Sequence, residues 1–150
     1  MAEADMSDLP GVRELLREYA DGVGVPLDFQ DFEREVAELP GAYTRPRGAL
    51  FVARYGGMLA GCVALRPLDG DACEMKRLFV RPAARGLGLG ERLADAIVAE
   101  ARRLGYARMR LDTLPTMGAA QGLYERLGFV DIAPYTDNPV AGTRFLELQL

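Results

Sequence analysis

The sequence contains no histidine, and it has only two cysteines among its 150 residues. Histidine is the commonest general base and a frequent zinc ligand, so its absence excludes Ser-His nucleophile pairs and most zinc sites. Carboxylates, tyrosine, cysteine and water remain for any proton transfer. We therefore expect chemistry that uses no metal.

An excess of basic residues and a long apolar run are also missing. The formal net charge of -4 argues against a general affinity for nucleic acid, because nucleic-acid phosphates attract basic proteins. No apolar run approaches the ~18 residues of a membrane span, and the acidic start from Met1 to Asp8 lacks the order of a signal peptide. We expect one domain over residues 1–150, cytoplasmic, with neither nucleic-acid nor membrane partners.

The two cysteines are not expected to pair with each other. If residues 59–67 and 72–81 form a hairpin, Cys62 lies opposite about Arg77 and far from Cys73. Two free thiols are the usual state in a reducing compartment.

Hydrophobic patterning predicts alternating helices and strands. Apolar residues at helical spacing predict helices from Ser7 or Asp8 to about Asp21 and over about 28–38, 91–104 and 119–127. Runs rich in β-formers predict strands over 49–55, 58–67, 72–81, 108–113, 129–133 and 143–150. The strand at 108–113 should pair in parallel with the strand at 72–81, because a helix connects them. Helices on both faces of this mixed, mainly antiparallel sheet give a three-layer α/β/α domain.

A glycine-rich turn, Arg85-Gly86-Leu87-Gly88-Leu89-Gly90, joins the strand at 72–81 to the following helix. Alternate glycines let several backbone N–H groups point at one ligand, and the helix start and Arg85 add positive charge. The expected ligand is therefore a phosphate or pyrophosphate. A plain glycine-rich connector is the alternative. Glu91 and Arg92 follow Gly90, which excludes a P-loop, and the glycine spacing fails the dinucleotide fingerprint G-x-G-x-x-G.

The turn resembles the acyl-CoA-binding motif of the GCN5-related N-acetyltransferase (GNAT) superfamily, Arg/Gln-x-x-Gly-x-Gly/Ala, at Arg85, Gly88 and Gly90. The resemblance extends from Val80-Arg81-Pro82 before the motif to residues 123–129 after it. It implies the GNAT fold, with the sheet splayed at the acyl-CoA site, and acetyl-CoA as the acyl donor.

The same resemblance implies the donor-binding residues. Backbone groups of the approaching strand would pair with pantetheine, and the N–H of Leu78 would polarise the thioester carbonyl. The turn from Arg85 to Glu91 would hold the pyrophosphate. The cofactor-binding residues implied in this way are Leu78, Phe79, Val80, Arg85, Gly86, Leu87, Gly88, Leu89, Gly90 and Glu91.

Two side chains match positions that the family uses for catalysis. Glu74 lies eleven residues before Arg85 and would withdraw the proton of the acceptor amine or bind a cationic amine; alternatively it pairs with a neighbouring basic residue. Tyr124 stands in Leu-Tyr-Glu-Arg-Leu-Gly-Phe and would donate a proton to the CoA sulfur, or else is an ordinary core tyrosine.

These residues favour an acetyl-CoA-dependent N-acetyltransferase that transfers acetyl directly to an amine of a small molecule or peptide in a ternary complex. A covalent route through Cys73 is disfavoured, because alternation puts Cys73 and Glu74 on opposite sheet faces. A non-catalytic acyl-CoA-binding module and a binder of another phosphorylated ligand are the alternatives.

The sequence departs from the family pattern at two places. Only Met1 to Met6 precede the first helix, where the family places a strand, and Met117 stands where the family often has a CoA-contacting Asn.

The sequence does not identify the acceptor. The acceptor site should lie among the first two helices and the loops 43–48 and 134–142. Arg45 and Arg47 suggest an anionic acceptor unless they are merely solvated. The terminal strands make a homodimer plausible.

Overall fold

The computed structural model describes residues 1–24, 27 and 31–150, which form one seven-stranded sheet with helices on both faces. The strand order is β1-β2-β3-β4-β5-β7-β6. None of the helices in these residues combines the length and apolar character that a bilayer crossing needs. In chain order the elements are β1 (Ala2–Glu3), α1 (Leu9–Val23), α2 (Phe32–Ala37), β2 (Ala49–Tyr55), β3 (Met58–Pro67), β4 (Ala72–Val80), α3 (Leu89–Arg103), β5 (Arg108–Thr113), α4 (Gly118–Leu127), β6 (Val130–Asp131) and β7 (Arg144–Gln149).

The centre of the sheet opens between β4 and β5. These parallel strands pair only from Ala72 opposite Arg108 to Glu74 opposite Arg110. Beyond that point β4 continues along β3 to Val80, while β5 continues along β7. The splayed, mixed sheet expected from the sequence is therefore confirmed.

A β-bulge on β4 lies beside this opening. The pairing of β3 with β4 shifts between Cys62 and Ala64, and Arg77 adopts a φ of 61°. A positive φ is uncommon for arginine, and bulges increase the local twist of a strand. The Arg77 guanidinium donates to both carboxylate oxygens of Glu35, at 2.8 and 2.9 Å, which holds the bulge against α2.

Alternation along β4 separates two apolar cores. Cys73 and Met75 point towards α3 and α4, and Glu74 and Lys76 point towards the opposite face. The core on the second face is built mainly from α1, α2, β2 and β3. Its buried members include Val12, Leu15, Leu16, Val36, Val52 and Cys62.

The element boundaries agree closely with the sequence-based prediction. α1 ends before Gly24, whose φ of 81° only glycine adopts readily, and the predicted helix at 28–38 is observed as α2, with residues 28–30 outside the described part. The first strand is present but only two residues long. Both cysteines are free and buried, and the Cys62 thiol donates to the Arg77 carbonyl oxygen at 3.4 Å.

Candidate active site

A cleft of about 560 Å³ occupies the opening between β4 and β5. Side chains from both faces of the sheet line it, because the separated strands leave no sheet between them. Met75, Leu78 and Val80 contribute from the α3 side, and Lys76 and Phe79 contribute from the α1 side. The cleft therefore reaches both faces of the sheet.

The β4 residues expected to contact pantetheine all lie along this cleft. Leu78, Phe79 and Val80 belong to the segment that has lost its β5 partner, so one edge of their backbone is free for a ligand to pair with. The side chains of Leu78 and Val80 pack on the α3-side core, as expected for residues that act through their backbone. The Arg85 Nε donates to the Val80 carbonyl oxygen at 3.0 Å on this edge.

The glycine turn closes one end of the cleft. Gly86 and Gly88 have φ values of 82° and 77°, which only glycine adopts without strain, and a Cβ at either position would project into open space. The first intrahelical bond runs from the Arg92 N–H to the Gly88 carbonyl at 3.1 Å, which leaves the N–H groups of the first helical turn free. Every predicted turn residue except Leu87 lines the cleft; the Leu87 side chain is exposed.

Tyr124 lies on the cleft wall contributed by α4. Its ring packs edge-on against Phe129 at a centroid distance of 5.8 Å. Burial raises the pKa of the Tyr124 phenol, so the group stays protonated at neutral pH. Its hydroxyl has no hydrogen-bond partner among the described residues, which leaves it available to a ligand in the cleft.

Glu74 lies at the closed end of the opening, in the last row where β4 and β5 still pair. The residue is almost fully buried and faces away from α3. Its Oε1 accepts from the Arg66 Nε at 2.6 Å, and its Oε2 accepts from the Tyr135 hydroxyl at 2.6 Å. The ion pair considered from the sequence is thus present, and both carboxylate oxygens already have partners.

Charges alternate across four strands in the row that contains Glu74. Arg66 on β3 is opposite Glu74 on β4, Glu74 is opposite Arg110 on β5, and Arg110 is opposite Glu147 on β7. Opposite charges placed side by side across strands stabilise a sheet modestly. The row lies at the closed end of the opening between β4 and β5.

Several polar residues of the cleft carry no sequence motif. Lys76 comes from β4, Asp112 from β5 and Asn138 from the loop before β7. The Asn138 amide donates to Asp112 Oδ2 at 3.0 Å. Burial is the largest cause that lowers the pKa of Lys76, and the neighbouring charge of Arg77 acts in the same direction. The arrangement of β4, β5 and the loop before β7 brings these residues together, and a single sequence does not reveal that arrangement.

Arg45 and Arg47, which the sequence suggests for an anionic acceptor, have partners away from the cleft. Arg45 pairs with Glu3 and with Glu100 near the end of α3, and Arg47 stacks over the ring of Tyr106 at 4.8 Å. Neither arginine lines the cleft. The loop that carries them lies beside the carboxyl-terminal end of α3, whereas the glycine turn lies at the opposite end of that helix.

Comparisons with known proteins agree with this geometry. The model of the family described as "Acetyltransferase (GNAT) family" matches residues 9–129. An uncharacterized N-acetyltransferase of Schizosaccharomyces pombe is 41% identical over 145 residues, which cover 95% of this chain and 89% of the relative.

Solved structures show the same fold. A GNAT-family acetyltransferase from Staphylococcus aureus has a TM-score of 0.81 at 21% identity and covers 98% of this chain and 96% of its own. A Bacillus subtilis acetyltransferase solved in complex with CoA has a TM-score of 0.59 at 23% identity, with coverages of 69% and 78%.

Proposed function

Because the chain belongs to the GNAT family of acetyltransferases and is an acyltransferase, we propose that it transfers an acetyl group from acetyl-CoA directly to the amine of a small molecule or peptide. The observation that carries the proposal is the cleft between β4 and β5, which ends at a glycine turn and is open to both faces of the sheet. The two free thiols suit a cytoplasmic location.

The fit of the donor to the cleft supports the proposal. The open space above Gly86 and Gly88 and the unpaired N–H groups at the start of α3 suit a pyrophosphate, and Arg85 adds a positive charge. The free edge of β4 at Leu78 and Val80 suits the amide groups of pantetheine.

The residues at the two ends of the opening supply the chemistry. The amine nitrogen attacks the thioester carbonyl, the new C–N bond forms and the C–S bond breaks. The Leu78 N–H polarises the carbonyl, Glu74 receives the proton that the amine loses, directly or through water, and Tyr124 donates a proton to the departing sulfur. An ammonium that approaches Glu74 competes with the Tyr135 hydroxyl for Oε2.

Direct transfer is favoured over an acyl-cysteine route. Cys73 is buried in the core beneath α3, on the face away from Glu74. Burial raises the pKa of its thiol to about 12, so almost none of it is thiolate at neutral pH. Cys62 is also fully buried, so it is equally unsuited to receive an acyl group.

A thiol-release assay with acetyl-CoA and a panel of amines and amino acids tests the proposal. We expect release that depends on an acceptor, and acetylated product detected by mass spectrometry. CoA binding without release for any acceptor would show a non-catalytic CoA-binding module instead. A trapped acetyl-enzyme after mixing with acetyl-CoA alone would contradict direct transfer.

A further inference from the structure

Three partly buried cations on the acceptor-facing side have most of their hydrogen-bond donors unused. Arg66, Lys76 and Arg110 make a single hydrogen bond to described residues, from Arg66 to Glu74. The Lys76 ammonium lies 4.0 Å from Glu74 with its side chain only 11% exposed, and the buried Nε of Arg110 has no hydrogen-bond partner. A desolvated cation with free donors is costly unless a ligand or water completes its shell.

Other arginines that are comparably buried are much better satisfied. Arg77 makes two hydrogen bonds to Glu35, and Arg81 bonds Glu18 and the Leu59 carbonyl. Among the described residues, the buried side-chain nitrogen and oxygen atoms without a hydrogen-bond partner are Arg108 Nε, Arg110 Nε and Glu147 Oε1, all on β5 and β7 beside the row of Glu74.

Two of these cations line a second cavity beside the row that contains Glu74. The cavity measures about 320 Å³, and Arg66, Arg110 and Tyr135 line it. Arg66 and Arg110 flank Glu74 on the neighbouring strands, and Lys76 is two residues further along β4, where it reaches the main cleft. The three cations therefore lie around Glu74, with Arg66 and Arg110 on the side of the second cavity and Lys76 on the side of the main cleft.

We propose that the acceptor carries a carboxylate, which binds among Arg66, Lys76 and Arg110 while its amine faces the thioester. This assignment rests on the proposed function and names its substrate class: an amino acid or another amine that bears a carboxylate. The planar guanidinium of arginine matches a carboxylate with two parallel N–H donors. Glu74 and Glu147 pair with Arg66 and Arg110 and offset two of the three charges, which leaves the terminal guanidinium N–H groups and the Lys76 ammonium for an anion.

Matched acceptors and matched variants test the assignment. Each amino acid, including those with a side-chain amine, is compared with its own amide, which keeps the amine and removes the negative charge. Arg110→Gln removes a cavity donor. Arg108→Gln is the control, because Arg108 lies on the same strand and face and is 3.6 Å from Glu147, but does not line the cavity.

We expect kcat/KM to be about 10- to 100-fold higher for the preferred amino acid than for its amide, the range expected of hydrogen bonds to a charged group. Arg110→Gln should remove most of this ratio, and Arg108→Gln should preserve it. Equal use of acids and amides, or equal effects of the two variants, would overturn the assignment.

Calorimetry in the presence of CoA separates this inference from the proposed function. If no acceptor is acetylated, the proposed function fails, but amino-acid binding that is stronger than amide binding and depends on Arg110 would still support the carboxylate site. If acetylation occurs without any preference for the carboxylate, only the carboxylate site fails.

Discussion

The β4 side chains that face α3 are apolar, whereas Glu74 and Lys76 on the opposite face carry charge. On the first side Met75, Leu78 and Val80 pack on the core. On the second side Glu74 and Lys76 lie among the arginines of the neighbouring strands. In the proposed function, the same strand binds the donor through its backbone and the acceptor through its side chains.

This difference has a physical origin. A CoA molecule offers repeated amides and a pyrophosphate, which backbone groups and a helix start can bind whatever the local side chains are. Acceptors differ mainly in charge and shape, and only side chains can distinguish them. Substitutions on the α3 side should therefore affect donor binding or the leaving sulfur, and substitutions on the charged side should affect the acceptor amine.

The largest effect should come from Glu74→Gln. Loss of the carboxylate that receives the amine proton should lower kcat/KM for the acceptor by about 10²- to 10⁴-fold, while the Kd for CoA stays the same. Glutamine still accepts from Arg66, so the fold is retained. Glu100→Gln is the control and should change the rate little, because Glu100 is a mostly buried carboxylate that pairs with Arg45 and Arg103 away from the cleft. A rate within threefold of the parent for Glu74→Gln would remove Glu74 from the mechanism.

A smaller loss, about 10- to 100-fold in kcat, should follow Tyr124→Phe, because the sulfur then leaves without a proton donor. Tyr106→Phe is a matched control: that buried tyrosine donates to the Arg47 carbonyl at 2.6 Å, away from the cleft. It should cost about 1 kcal/mol of unfolding free energy and leave kcat unchanged. Equal kcat values for the two variants would place Tyr124 in the core alone.

About a tenfold weaker Kd for CoA should follow Gly88→Ala, measured by calorimetry. The new methyl group projects into the open space of the glycine turn and forces a φ of 77° on a residue with a Cβ. Gly105→Ala has the same strain at the other end of α3, with a φ of 88° and no role in the cleft. Both variants should lose about 1–2 kcal/mol of stability. If both bind CoA as the parent does, the turn does not hold the pyrophosphate.

The smallest effect is on stability, and it involves Glu100, which lies on α3 and not on β4. Hydrogen bonds from Arg103, together with Arg45, lower the pKa of Glu100 to about 2. A lowered folded-state pKa stabilises the protein above the unfolded value near 4.3 and loses that contribution as the pH falls towards 2. Chemical denaturation should therefore show Glu100→Gln to be less stable than the parent at pH 7 and equally stable near pH 2. A difference that persists at pH 2 would contradict this assignment.

The sequence predicts the glycine turn far better than the cluster of charges around Glu74. The turn from Arg85 to Gly90 is local, so its glycines and its place between strand and helix are visible in consecutive residues. Arg66, Lys76 and Arg110 come together only through the pairing of three strands and the bulge at Arg77. No local pattern encodes that register.

The positions of Arg45 and Arg47 away from the cleft also depend on long-range strand pairing. Their loop follows α2 in sequence, which suggested the acceptor side, but β2 then enters the sheet from the end that also holds Glu3 and Glu100. The charged loop is therefore tied to the far end of α3. Sequence proximity to the first two helices did not translate into proximity in space.

A crystal structure of the protein with CoA tests the central claim most directly. We predict that the pyrophosphate contacts the N–H groups from Gly86 to Glu91 and that pantetheine runs along Leu78 to Val80, with the sulfur near the Tyr124 hydroxyl. CoA bound elsewhere, with the opening between β4 and β5 left to solvent, would contradict the account.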